Sequence, residues 1–144
     1  MDRKEPHQKS IGEISYAIYA AFAASIDFLL RYSFILDSGS SIHVCHDLNR
    51  FSNFRRAPRG HYAVCGSGSV SIQGYGEVDV VLTNQQGRKR SLRLYHVAYC
   101  PDFPTNLVSL RLLEARGVDW NHRSGQLTLR NDPEALGLTR RIHN

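Results

Sequence analysis

The feature that most constrains this chain is an abrupt stop. The extended, β-branched and aromatic run Tyr32-Ser33-Phe34-Ile35-Leu36 ends on an acid followed by small residues, Asp37-Ser38-Gly39-Ser40-Ser41. An apolar strand that delivers a carboxylate to a glycine-containing turn fixes where the chain must bury one end and expose the other. The same three letters also suit an ordinary turn with Asp37 as an Asx or capping residue. The tripeptide therefore takes its meaning from what surrounds it.

What surrounds it is a succession of short strands. Ile42-His43-Val44-Cys45 resumes as a second strand, and residues 50–60, with Asn53, Pro58 and Gly60 among charges, form a loop. Residues 61–65 alternate toward the turn Gly66-Ser67-Gly68-Ser69, and Val70-Ser71-Ile72-Gln73 leads away, which predicts a hairpin with a glycine-rich tip. Residues 77–82 extend the returning strand to a second turn, Asn84-Gln85-Gln86-Gly87. Residues 91–97 then alternate with period two, which places Leu92, Leu94 and His96 on one side. Pro101 and Pro104 break that pattern. Thr105 is positioned as a helix N-cap, with Leu107, Leu110 and Leu113 at helical spacing and Gly117 as the stop. Residues 118–120 and 126–129 form a last hairpin. The pattern as a whole predicts a mainly β domain with a closed barrel architecture and one short helix.

The segments outside this run differ from it. Residues 1–10 are polar and charged, as expected for an unstructured start. Residues 11–30 are the most apolar stretch, but Glu13 and Asp27 interrupt them, whereas a membrane span wants about twenty predominantly apolar residues. A secretory leader would have a shorter apolar core followed by a cleavage site. The reading is an alanine-rich packing helix. Domain boundaries follow: residues 1–31 as tail and helix, 32–130 as the β domain, and 131–144, with Asp132-Pro133-Glu134 and Arg140-Arg141, as a linker.

At 144 residues such a domain can build a core without cross-links or metals. Cys45, Cys65 and Cys100 are odd in number and irregular in spacing, which reads as reduced thiols in an intracellular, cytoplasmic setting. The net charge of +5 comes partly from Arg55, Arg56, Arg59 and Arg88-Lys89-Arg90. A modest excess over loops, without a base-reading motif, suits solvated surface better than nucleic-acid recognition. His43, Cys45 and His46 fall on both faces of a strand with no second ligand pair, so no metal is expected. Gly66-Ser67-Gly68 lacks the third glycine of a dinucleotide loop and the lysine of a phosphate loop, and no G-x-S-x-G elbow occurs. No cofactor is expected.

A carboxylate on such a turn has one specific chemical use. Two carboxylates held about 3 Å apart share one proton, because like charges that close cannot both ionise. The charged member deprotonates a water that attacks a peptide carbonyl, while the protonated member donates to the carbonyl oxygen. The hydroxyl after the acid can lock the pair, and the glycine lets a backbone N–H approach the carboxylate. Asp37-Ser38-Gly39 occurs once, so one chain supplies only half of such a pair.

Three ordered blocks give the motif a family context. The stretch from Phe34 through Asp37-Ser38-Gly39-Ser40-Ser41 to His43 and Val44 resembles the protease of copia-type (Ty1/copia) LTR retrotransposons, whose usual form is an apolar strand, D-S-G-A-S and a nearby histidine. Ile72-Gln73-Gly74-Tyr75-Gly76-Glu77-Val78 resembles the family's I-x-G-x-G-x-V. The third block, Leu94 to Leu110 with Pro101-Asp102-Phe103-Pro104-Thr105-Asn106-Leu107, resembles its V-L-Y-V-P-D-L-x-x-N-L-L-S-V segment.

That resemblance implies a retropepsin-like β-barrel cut from a Gag-Pol polyprotein, active as a homodimer on polyprotein peptide substrates. Nucleic acid would be engaged only through neighbouring domains, and no membrane is involved. It assigns Asp37 as the catalytic carboxylate, Ser38 as the locking hydroxyl and Gly39 as its backbone neighbour, with Gly66, Ser67, Gly68 and Ser69 as a flap over substrate. Ser40 departs from the family's commoner alanine and adds a hydroxyl beside the acid. The alternative from a different class is a catalytically silent remnant that serves as a dimerisation or nucleic-acid-associated scaffold.

Overall fold

The computed structural model describes residues 30–140, apart from residues 67 and 133. The helix expected over residues 11–30 lies outside the described residues except for Leu30, which begins a turn. Ser67 of the expected flap tip also lies outside them.

The chain runs β1 (Phe34–Asp37), β2 (Val44–Cys45), a single 3₁₀ turn (Leu48–Arg50), β3 (Phe51–Arg56), β4 (Tyr62–Cys65), β5 (Gly68–Ser71), β6 (Gly74–Thr83) and β7 (Lys89–Tyr99). It continues through β8 (Asn106–Ser109), the helix α1 (Leu110–Ala115), β9 (Val118–Asn121), β10 (Gln126–Leu129) and β11 (Ala135–Leu138). A six-stranded sheet has the order β1-β8-β2-β7-β6-β3, β11-β10-β9 form a second sheet, and β4-β5 form a hairpin of their own. The fold is thus mainly β with one short helix.

Closure is where the expectation changes. Among the described residues β1 and β3 end the large sheet without pairing to each other, so hydrogen bonding does not close a barrel. Side chains bridge the sheets instead. Leu92, Leu94 and Val97 of β7 and Val108 of β8 pack with Leu113 of α1, Val118 of β9, Leu127 of β10 and Leu136 of β11. A second apolar cluster, on Val44, Ile72, Ala98, Cys100 and Phe103, gathers Ala63, Cys65 and Val70 from the hairpin. Adjacent strand residues serve the two clusters, Cys45 and Val97 the first, Val44 and Ala98 the second, as strand alternation requires.

Several sequence readings are corrected by pairing, the first being residues 50–60, read as a loop, of which Phe51–Arg56 form β3 on the edge beside β6. Thr105 precedes a strand, not a helix, because residues 106–109 are drawn into a parallel ladder with β1, Phe34 opposite Asn106 and Asp37 opposite Ser109. Leu107 is consequently a strand residue, and the helix starts at Leu110 with Ser109 as its N-cap. His96 does not share the buried side of Leu92 and Leu94. The β6–β7 register shifts between Gly76 and Val78, His96 takes φ 52°, and its exposed ring stacks on Tyr75 at 4.5 Å while Val97 turns inward. The stretch read as a linker also contributes structure, since β11 pairs with β10 and buries Leu136.

Glycine has a packing role where β3 crosses β6. A Cβ on Gly74 would collide with the Phe54 ring and stand 2.6 Å from the Arg55 carbonyl, and one on Gly76 would stand 2.9 Å from the Ser52 carbonyl. The close approach lets Phe51, Phe54 and Tyr99 pack edge to face at 5.6–5.7 Å.

Between the large sheet and β9–β11 lies a cavity of about 710 Å³, walled by residues such as Leu36, Leu82, Leu92, Val108, Trp120 and Leu127.

Candidate functional site

Asp37 is the last residue of β1, half-buried, and Ser38 and Gly39 beyond it are exposed. The Asp37 carboxylate accepts the Gly39 N–H at 2.8 Å, and a Cβ on Gly39 would stand 3.4 Å from the same oxygen. The turn thus folds back on its own acid and leaves a small residue beside it. That is the geometry of an Asx-type turn, and it presents the carboxyl group at a strand end.

What fixes the turn lies on β8. The Ser109 hydroxyl, fully buried, donates to the Ser40 carbonyl at 2.6 Å and accepts the Leu112 N–H at 3.3 Å, so one side chain caps α1 and ties down the chain just past Gly39. The Ser109 N–H donates to His43 Nδ1 at 3.0 Å. His43 is only 2% exposed, and burial, with the nearby Arg116 cation second, pushes its pKa down to about 4. The imidazole is therefore neutral, with its proton on Nε2. Ser40 adds a bond to the Ile42 carbonyl at 2.6 Å. The extra hydroxyl at position 40 is spent on its own turn.

A second set of bonds holds the entry to β1. Asn106, 1% exposed, accepts the His46 N–H at 3.0 Å and donates to the Ser33 carbonyl at 3.1 Å, and the Thr105 hydroxyl donates to the Leu30 carbonyl at 2.8 Å. The His46 ring contacts the Arg31 carbonyl. Sequence reasoning missed Ser109 and Asn106 as the residues that brace this turn, and it named His43 without its bond to Ser109. The signal for Ser109 was present, a serine directly before an apolar helical run, but the leucine at 107 drew the helix too early.

The other expected site residues sit on the β4–β5 hairpin. Tyr62 pairs with Ser71 and Cys65 with Gly68, leaving a two-residue tip whose first position, Gly66, has φ +55°. Gly68 and Ser69 are exposed strand residues. The inner face of the hairpin packs through Ala63, Cys65 and Val70 into the cluster that also takes Ile42 and Val44, the residues that follow the Asp37 turn. Its outer face shows Tyr62 and Val64 to solvent.

Among the described residues no three His, Cys, Asp or Glu side chains gather as metal ligands, and no helix is long and apolar enough to cross a membrane. Burial raises the thiol pKa values of Cys45 and Cys65, and that of Cys100 to about 12 with Cys65 and Asp102 adding to it. These thiols are protonated and poor nucleophiles. Of the basic cluster, Arg88 pairs with Glu134 at 2.7 Å and Arg90 with Asp132 at 3.2 Å.

Residues 34–118, from the first residue of β1 to the first of β9, match the family described as Pol polyprotein, beta-barrel domain. The chain belongs to this family. A relative, the putative transposon Ty5-1 protein of Saccharomyces cerevisiae, is 36% identical over 76 residues, covering 53% of this chain and 46% of the relative. The chain spans about half the length of the curated relative it matches. As a Pol β-barrel domain of retrotransposon type, it carries Asp37, Ser109, the hairpin and both close-packed glycines within the matched stretch, while β10 and β11 lie beyond it.

Proposed function

We propose that this Pol β-barrel domain is the half-site of an aspartic endopeptidase of the copia type, which cleaves polyprotein peptides as a homodimer. The observation that carries the reading is the Asp37 turn: a carboxylate at a strand end, bonded to the Gly39 amide and clamped from behind by Ser109. Two such turns facing each other would place two Asp37 carboxyls over one shared proton, one to activate water and one to protonate the carbonyl oxygen. Ser38, exposed beside the acid, is the hydroxyl positioned to bond across that pair, and the β4–β5 hairpin with Gly66, Gly68 and Ser69 is the cover over bound peptide. The setting would be intracellular, in the particle that contains the polyprotein.

The test uses the full chain with a library of fluorogenic peptides at pH 5–7, read beside sedimentation. The expected result is cleavage that scales with the dimer fraction, stops with a statine-type mimic of the tetrahedral intermediate, and disappears in Asp37→Asn. Dimers that stay inert across the library, with wild type and Asp37→Asn alike, would overturn the reading in favour of a silent dimerisation scaffold.

A further inference from the structure

Across β3, β6 and β7 the large sheet carries a stripe of rings and cations that the Asp37 turn does not use. Arg55 lies opposite Tyr75 in the β3–β6 register, so their side chains share a face. The Tyr75 ring in turn stacks on that of His96 from β7, 4.5 Å away and 5° from parallel. His61, just before β4, meets the Tyr75 hydroxyl through Nδ1 at 3.2 Å. His96 holds its place at a backbone cost: it takes φ 52° where the β6–β7 register shifts, and such a shift re-aims a side chain. One face of its ring lies on Tyr75 while the residue stays exposed, which leaves the other face to solvent.

The charge beside this column is not neutralised. Arg55 and Arg56 belong to the edge strand β3, Arg59 lies two residues before His61, and all three are exposed. Arg88, Arg90 and Arg93 each pair with a carboxylate, whereas among the described residues no acid pairs with Arg55, Arg56 or Arg59. Glu77, two residues along β6 from Tyr75, is taken by Arg93 and by the Asn53 amide. An open ring face flanked by free guanidinium groups suits a single-stranded nucleic acid, whose bases stack on rings while its phosphates meet cations. A duplex keeps its base faces inside its own stack, and an acidic peptide would gain nothing from the histidine ring. We propose that the β3–β6–β7 surface binds single-stranded nucleic acid, with a base on the outer face of His96 and phosphates at Arg55 and Arg59. Arg55 stands two strand spacings from His96, roughly 10 Å, a reach that a short single strand covers. The domain would then meet nucleic acid itself and not only through its neighbours, whether or not it is an endopeptidase.

Fluorescence anisotropy of a labelled mixed-sequence single strand of about 12 nucleotides, titrated with the full chain, tests this. With two or three phosphates neutralised, binding should weaken roughly 7- to 20-fold between about 50 and 200 mM salt. His96→Asn removes the ring while asparagine tolerates the positive φ, and it should weaken binding roughly tenfold with the salt slope unchanged. Arg55→Gln should weaken binding and lower that slope by about 0.7. Arg88→Gln removes the same charge from the paired cluster and should change affinity by less than about twofold, since salt screens distant charges. No binding at the lower salt overturns the inference. So does unchanged affinity in a folded His96→Asn chain, or a loss in Arg88→Gln as large as in Arg55→Gln, since either reduces the contact to diffuse attraction. A polyglutamate peptide that competes as well as unlabelled single strand would assign the surface to an acidic peptide, and a duplex bound as tightly would assign it to phosphate alone; both overturn it. Circular dichroism reports folding, and if His96→Asn does not fold, Arg55→Gln against Arg88→Gln decides.

Discussion

The turn after Asp37 and the β4–β5 hairpin stand on neighbouring parts of the same apolar cluster, but they are held in different ways. The turn is tied by buried side chains from another strand: Ser109 to Ser40, His43 to Ser109, Asn106 to both His46 and Ser33. The hairpin is held by its own ladder, by the Ile72 N–H to the His61 carbonyl at 2.9 Å, and by one apolar face. Buried polar ties specify one geometry because leaving them unmade is costly, whereas apolar contact tolerates sliding. The molecule thus fixes its acid by polar bonds and leaves the hairpin to adjust.

That contrast can be broken by experiment, beginning where the effect is largest. Asn106→Leu should lower stability by about 2–4 kcal/mol, since it strands the His46 N–H and the Ser33 carbonyl in the interior, each worth roughly 1–3 kcal/mol. Urea midpoints at neutral pH measure it.

Acid should loosen the same end of the fold. His43 has its folded pKa pushed from 6.5 to about 4, so between those values the unfolded chain binds the extra proton. Its contribution is complete above pH 6.5 and is lost as the pH falls toward 4, up to about 3 kcal/mol at 1.36 kcal/mol per unit. Unfolding curves across that window should slope accordingly, and His43→Gln should flatten them.

A smaller loss, about 1–2 kcal/mol, is expected for Ser109→Ala, which removes the α1 cap and the tie to Ser40. Thermal melts, with hydrogen exchange at Gly39 and Ile42, would register it. Smallest of all, Val64→Ser on the exposed hairpin face should stay within about 0.5 kcal/mol of wild type. If Val64→Ser costs as much as Ser109→Ala in the same melts, the two regions are not held differently and the comparison fails.

The long alternating strands and the carboxylate turn were legible in the sequence because both are local: alternation at Leu92 and Leu94, and an acid before glycine, need no partner to be read, whereas β3 was read as a loop. The clamp was not, because it depends on pairing between distant segments. Thr105, Leu107 and Leu110 carry helical spacing, and only the parallel ladder with β1 pulls Leu107 into a strand. His43 was weighed as a metal ligand and set aside without a role, and only the structure gives it one, as acceptor of the Ser109 N–H. His96 obeyed the alternation rule on paper, and a register shift reversed its side. The last strand was hidden by Pro133 and its charged neighbours, although Gly137 packs so closely on β6 that a Cβ would stand 2.5 Å from that of Leu82.

The parallel pairing of β1 with β8 also sets an order of events during synthesis. Asp37 leaves the ribosome early, but its partner Ser109 follows only after β2 through β7 have been made. Contacts so far apart along the chain form slowly. The acid is therefore without its clamp for most of the domain's translation, and this end of β1 stays unset until the chain beyond Ser109 has emerged.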